Sequence, residues 1–281
     1  MSGSEAKERE FLFTDADFQR VRTLIYKHAG ISLAPVKRDM VYSRLARRLR
    51  VTGETTFSEY LDALEQADSE EWEGFVNSLT TNLTSFFREE HHFPLFAEHL
   101  KRIGTTRPVK VWCSAASTGE EPYSIAMTVL ETFGNKADHV SIVASDLDTN
   151  VLATARSGVY PIDRVDKMSP ERLKRFFLKG AGSQEGLIRV RPELQKLIEF
   201  KHVNLLDSSW QISASLDVIF CRNVMIYFDK PTQYKILSRF APLMREDGLL
   251  FAGHSESFLH AADLFKSRGK TVYALTRPRS C

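Results

Sequence analysis

The sequence predicts an α/β protein: an all-helical front end, a doubly wound sheet behind it, and a small antiparallel β insertion. Three observations carry that prediction. In the first third of the chain, apolar residues recur at helical spacing, as in Phe18, Val21 and Ile25. From Val109 onward, short β-branched runs alternate with helix-forming stretches. Between the two lies Val109–Tyr123, VKVWCSAASTGEEPY, which reads as a strand, a tight turn at Gly119, and a helix opening over Glu120–Pro122. Proline in a first helical turn forfeits no intrahelical bond. Strand–turn–helix units of this kind bind nucleotide-like ligands at strand carboxyl ends. Here two acids stand where a phosphate binder would want amides and a lysine, so a cationic or hydroxyl-rich ligand fits better than a polyphosphate.

Composition narrows the field. The chain has 281 residues, enough for one large domain or two modest ones, with 43% hydrophobic and 26% charged residues and a net charge of +2. No apolar run approaches the ~18 residues of a membrane span, and the polar N-terminus has no signal-peptide core, so a cytoplasmic protein is expected. Cys113, Cys221 and Cys281 lack metal-ligand spacing. The first two sit in apolar, strand-like runs and are expected to be buried and reduced.

Taken in order, residues 1–10 are polar. Thr14 and Asp15 can cap a helix to about His28, with Gly30 as its stop. Pro35 opens a second helix, residues 36–51, in which Lys37, Arg38, Arg44, Arg47, Arg48 and Arg50 crowd together without glutamates at i±4. That face is solvated or meets a negatively charged partner. Helices Phe57–Ala67 and Ser69–Leu79 follow. In residues 80–88, TTNLTSFFR, periodicity breaks and Asn82, Thr84 and Arg88 interleave with bulky apolar residues, a pattern of buried hydrogen-bonded groups or of a ligand-facing segment. Glu89–Arg102 is a further helix; its adjacent His91 and His92 would point to different faces, against a shared metal.

A second strand, His139–Ala144, ends at Asp146, near where such folds place a ribose-binding acid. After a helix to Arg156, residues 158–203 read as an insertion: an aromatic-rich segment, a short helix capped by Ser169, the glycines Gly180, Gly182 and Gly186, and two antiparallel strands, Leu187–Val190 and Ile198–Val203. The sheet resumes with Leu216–Phe220, a helix Pro231–Met244, Gly248–Gly253 and Thr271–Thr276. Asn204-Leu205-Leu206, CRNVMIYFD from Cys221, and GHSE from Gly253 each follow a predicted strand, describing a pocket lip.

FFREEHHFPL, SAASTGEEPYSIAM, FCRNVMIYF and GLLFAGHSE, in that order, resemble the chemotaxis receptor methyltransferases, the CheR family. The likeness runs from about Phe18 to Leu275 and includes RDMVYSRLARRLR and GLIRVR. It implies an N-terminal helical domain over 11–88 and a Rossmann-like, S-adenosylmethionine-dependent methyltransferase domain over 89–281. The implied activity is protein-glutamate O-methylation of transmembrane chemoreceptors. Position by position, the implied cofactor contacts are Asn82, Thr84, Arg88, Glu120, Asp146, Asn204, Leu205, Arg222 and Asn223, with Arg88 and Tyr227 beside the transferring methyl. Asp146 would accept from ribose hydroxyls, Glu120 would attract the ammonium or sulfonium, and Asn204 and Leu205 would hold the adenine edge. The basic helix would face the acidic receptor, and the insertion, through Gly180, Gly182, Gly186 and Arg189, would tether the receptor's C-terminal peptide. No metal, no nucleic-acid partner and no membrane insertion are expected, and a monomer suffices. The three-glycine dinucleotide fingerprint is absent from Ala116–Gly119, which argues against a nicotinamide enzyme.

Overall fold

The computed structural model describes residues 9–66 and 68–276; most of the polar start, Ala67 at the predicted end of the third helix, and Cys281 lie outside the described residues. The chain divides into two compact units between Thr81 and Asn82. The expected break after Arg88 falls earlier because residues 82–88 bond to the second unit's own elements: Asn82 Nδ2 donates to Asp148 (2.8 Å) and Phe87 N to Ser124 Oγ (2.9 Å).

The first unit contains helices α1 (Asp15–Ala29), α2 (Arg38–Thr52), α3 (Phe57–Leu64) and α4 (Glu71–Leu79). Capping boxes at Thr14 with Asp17 and at Thr56 with Glu59 satisfy the first free N–H groups of α1 and α3. Gly30 (φ 69°) ends α1 in the left-handed region. Phe18, Val21, Ile25, Val41, Leu45 and Leu49 put one face of α1 and of α2 into the core.

Most of the basic residues of α2 are engaged inside this unit. Arg48 makes a two-pronged pair with Glu71 (2.8 and 2.6 Å), which also accepts from the buried Tyr60 hydroxyl (2.8 Å). Gly74 makes room for it, since a Cβ there would lie 2.6 Å from an Arg48 Nη. Arg44 donates to the Leu79 and Thr80 carbonyls (3.1 and 2.6 Å), satisfying acceptors that the end of α4 leaves open. Arg38 reaches the Phe13 carbonyl (2.6 Å), and Arg50 pairs with Glu10. As expected, no partner lies at i±4 within the helix; the partners of these four lie on other segments, carboxylates for Arg48 and Arg50 and backbone carbonyls for Arg44. Lys37 and Arg47 are exposed.

In the second unit, α5 (His92–Ile103) precedes β1 (Val109–Cys113), α6 (Glu120–Phe133), β2 (Val140–Asp146) and α7 (Thr149–Ser157). The insertion supplies β3 (Val159–Pro161), α8 (Pro170–Phe176), β4 (Phe177–Lys179) and β5 (Leu187–Val190). Then come α9 (Pro192–Gln195), β6 (Ile198–His202), β7 (Leu216–Cys221), α10 (Lys230–Phe240), β8 (Met244–Ala252), β9 (Phe265–Gly269) and β10 (Val272–Leu275). Among the described residues the main sheet runs β6-β2-β1-β7-β8-β10-β9, parallel through β8, with the last two strands antiparallel. Alternate residues serve opposite faces: Val111, Cys113, Val218 and Phe220 pack with Phe96 and Tyr123, while Trp112, Ile219 and Cys221 pack with Ile236 and Phe240. Cys113 and Cys221 are buried and free, as expected.

The second small-sheet strand is a correction. Ile198–His202 forms a strand, but it pairs in parallel with β2 (Ile142↔Ile198 through Asp146↔His202) at the edge of the main sheet. The antiparallel partners of β5 are β3 and β4, each only three residues long and too short to show a periodicity. The inserted sheet thus closes within 159–190.

From β1 the chain winds outward through β2 to β6, then returns to place β7 on the other side of β1. The switch point lies between β1 and β7, the position at whose carboxyl ends open α/β sheets bind ligands.

Arg48→Ala should destabilise the first unit by about 1–3 kcal/mol, because it leaves the Glu71 carboxylate, 17% exposed, without its cation. Arg47→Ala, at an exposed position, should stay within about 0.5 kcal/mol of the parent. Denaturant unfolding of both variants measures the difference.

Candidate active site

The turn after β1 is built around Gly119, whose φ of 102° lies in the left-handed region. A Cβ there would also fall 2.6 Å from the Tyr160 hydroxyl and 2.9 Å from the Ala155 Cβ. Tyr160, on β3, donates to the Thr118 carbonyl (2.8 Å), so the insertion braces this turn. Ser117, itself at φ 48°, turns its N–H onto Asp146 Oδ2 (2.8 Å), and Asp148 N donates to Oδ1 (3.0 Å). Burial pushes the Asp146 carboxyl up to about 6, against the opposing pull of these backbone donors. Asp148 serves the backbone instead, capping α7 through Asn150 N and Val151 N, and it accepts from Asn82.

The two acids of the turn point to different chemistry. Glu120 is fully buried; its Oε2 accepts from Thr118 Oγ1 (2.6 Å), while its Oε1 has no hydrogen-bond partner and lies 3.3 Å from an Arg164 Nη. Glu121 instead binds Arg222 Nη1 (2.8 Å) at the end of β7.

Arg222 is the centre of a buried cluster. Its guanidinium, 0% exposed, also donates to the Arg88 carbonyl and lies 3.4 Å from Glu89 Oε2. Glu89 Oε1 accepts from Asn223 Nδ2 (3.1 Å), from His254 N (3.1 Å) and pairs with His254 Nδ1 (2.9 Å). Burial raises its pKa, but the His254 hydrogen bonds and the Arg222 charge outweigh that and lower it to about 2. Glu256 accepts from Asn223 N (3.0 Å) and Met225 N (2.8 Å), tying the loop after β8 to the loop after β7. Phe87 (φ 53°), Glu89 (φ 53°), Ser117 and Asn223 (φ 58°) all hold left-handed backbone around this crevice, a concentration typical of functional sites.

The structure thus places Asn82, Arg88, Glu120, Asp146, Arg222 and Asn223 at strand ends, on loops and at the start of α6, segments joined to one another by hydrogen bonds. Asn204 and Leu205 are buried just after β6; Asn204 Oδ1 accepts from Leu206 N (2.9 Å), and Val203 N donates to the Asp146 carbonyl (3.0 Å). Thr84 is half-buried on the 82–88 segment, and Tyr227 is half-buried on a short 3-10 turn after β7. Arg88 donates to the Leu83 carbonyl (2.6 Å). The Arg222 side chain bonds to Glu121 and the Arg88 carbonyl and lies beside Glu89. At the insertion, Arg189 is exposed on the central strand β5, so the open edges belong to β3 and β4. Gly182 (φ 59°) and Gly186 (φ 81°) serve their own turns, and Gly180 avoids the Gln184 carbonyl, which a Cβ would meet at 2.0 Å.

Among the described residues, Glu89, His91 and His92 bring ligand-type atoms within 4.8 Å of one another, and the two histidine rings lie 4.2 Å apart rather than on separate helix faces, since the helix begins only at His92. Glu89 is already engaged by His254, Asn223 and the Arg222 cation. Tyr160, Arg164 and Glu89 are not legible from sequence as site residues; they lie in an irregular insertion and at a helix start, where spacing carries no signal. Glu256 is visible there only as part of the GHSE lip.

An adenosyl cofactor matches this chemistry: a carboxylate at the end of β2 for hydroxyl donors, a buried carboxylate oxygen that no hydrogen bond reaches, and a turn too tight for any side chain. Known proteins agree with it. Residues 16–80 match the family model described as CheR methyltransferase, all-alpha domain, and residues 82–274 match CheR methyltransferase, SAM binding domain. The chain is 54% identical over 265 residues to the "Chemotaxis protein methyltransferase" of Escherichia coli (strain K12), covering 94% of this chain and 92% of that protein. It is also 54% identical to the "Chemotaxis protein methyltransferase 2" of Pseudomonas aeruginosa, covering 95% of each. The break between the two matched models coincides with the break between the two structural units. With both of its units matched by the family's models and relatives 54% identical over nearly its whole length, the chain belongs to the CheR methyltransferase family.

Proposed function

We propose that this chain methylates glutamate side-chain carboxylates of chemoreceptors in chemotactic adaptation, with S-adenosylmethionine as the methyl donor. The observation that carries this reading is the match to chemotaxis methyltransferases across nearly the whole chain, including the segment that holds Gly119, Glu120 and Asp146. Asp146 would hold the ribose hydroxyls, Glu120 the cationic end, and Asn204 and Leu205 the adenine edge; Asn82 and Thr84 would line the same cleft. Asn223 would contribute from its loop, and Arg222 would act by fixing Arg88 and Glu121 in place. When bound, the cofactor supplies a methyl group already activated by its sulfonium.

The protein then has little chemistry to add. A glutamate carboxylate, with a pKa near ~4.3, is ionised at neutral pH and needs no general base. Positioning supplies the acceleration, worth up to roughly 7–11 kcal/mol when the reacting atoms are well aligned. Arg88, with its backbone carbonyl fixed by Arg222, orients the incoming carboxylate, and Tyr227 frames the methyl. Lys37, Arg47 and Arg50 are the exposed cations of the basic segment; Arg50 pairs with Glu10, so Lys37 and Arg47 would meet an acidic receptor helix first, and an edge of the small sheet would receive a receptor peptide as an added strand.

Incubation with methyl-labelled S-adenosylmethionine and chemoreceptor membranes should place label on the receptor in a base-labile form, the signature of a carboxyl methyl ester; base-stable label would exclude glutamate as the acceptor. Arg88→Ala should lower turnover well below the parent, and a variant with full turnover and full cofactor affinity would remove Arg88 from the mechanism. The Asp146 carboxyl, with its pKa at about 6, loses its charge as pH falls through that value. Cofactor affinity should therefore weaken about tenfold from pH 7.5 to pH 5 by calorimetry, and Asp146→Asn should bind weakly with that dependence largely removed.

A further inference from the structure

We propose that Arg164, carried by the insertion, is a cofactor-binding residue. With Glu120 it forms a two-charge receptor for the zwitterionic amino-acid end of the cofactor. The inference rests on the assignment of an adenosyl sulfonium cofactor to this cleft and adds a residue and a charge pattern to it.

Glu120 opens α6, it is fully buried, and one of its two oxygens has no hydrogen bond. A buried carboxylate oxygen left in that condition is costly unless a donor arrives. The nearest cation is Arg164 Nη2 at 3.3 Å, a charge contact without hydrogen-bond geometry. Arg164 is 41% exposed and sits in the 3-10 turn Ile162–Val165 that follows β3, so its guanidinium has both the reach and the open directions to serve a second anion.

The placement of Arg164 is itself held. Tyr160, four residues earlier, is anchored to the Thr118 carbonyl at 2.8 Å and packs against Gly119, and Val165 is buried in the core of the second unit. The insertion therefore brings a cation to the side of the glycine turn by construction. An α-amino acid group carries an ammonium and a carboxylate on neighbouring atoms. A site offering a carboxylate and a guanidinium side by side is complementary to both: the ammonium supplies the donor that Glu120 Oε1 lacks, and the carboxylate takes the Arg164 fork. A cofactor fragment without that end has nothing to offer either residue.

Calorimetry with S-adenosylhomocysteine and with 5′-methylthioadenosine, which keeps the nucleoside and thioether but lacks the amino-acid end, separates the two halves of the ligand. Arg164→Gln should weaken S-adenosylhomocysteine about tenfold or more, as loss of a charge-assisted bond implies, and leave 5′-methylthioadenosine unchanged. Arg164→Lys should recover part of the loss. Equal weakening of both ligands would make Arg164 a brace of the turn, and no effect on either would remove it from the site; both results overturn the proposal. If the parent protein binds neither ligand, the cofactor assignment itself fails, and this proposal with it.

Discussion

Everything at the switch point depends on one buried charge. Arg222, the residue after β7, carries a guanidinium sealed from water, and sealing such a group costs several kcal/mol unless partners surround it. Its partners come from two other elements: Glu121 on the helix after β1, and Glu89 with the Arg88 carbonyl on the segment before α5. Because the cation must be satisfied, those elements are fixed to the end of β7. Glu89 passes the restraint on to His254 and Asn223, and Glu256 closes the ring between the loops after β7 and β8.

That restraint explains how the cleft tolerates its strained backbone. Phe87, Glu89, Ser117 and Asn223 occupy left-handed conformations that side chains other than glycine rarely adopt, and each is tied by a hydrogen bond or belongs to the ion cluster. The two acids of the glycine turn then divide the work. Glu121 pairs with Arg222, whereas Glu120 keeps one oxygen without a hydrogen bond beside Arg164. Ion pairs and hydrogen bonds around the carboxyl ends of β1 and β7 hold these loops in rigid alignment.

Much of this is legible in the sequence wherever the cause is local. Thr14 and Gly30 mark the ends of α1 because capping is decided within four residues. Gly119 and Asp146 are legible as a turn and a strand end because the βα unit fixes their spacing. What is not legible depends on partners distant in sequence. Arg44 and Arg48 have the pattern of a free basic face, yet Thr80 and Glu71 take them up. The composition of Ile198–His202 identifies a strand but does not say whether β5 or β2 will receive it, and the antiparallel expectation fails there. The burial of Arg222 is not legible either, because it depends on Glu89 and Glu121, which sequence spacing does not connect to it.

The most direct test is a crystal structure of the protein with S-adenosylhomocysteine. The ribose hydroxyls should lie within hydrogen-bond distance of Asp146, the amino-acid end should sit at Glu120, and the Arg222 guanidinium should remain buried against Glu121 and Glu89. A ligand bound away from the Gly119 turn, or an Arg222 side chain swung out to contact it, would contradict the central role given to that buried charge.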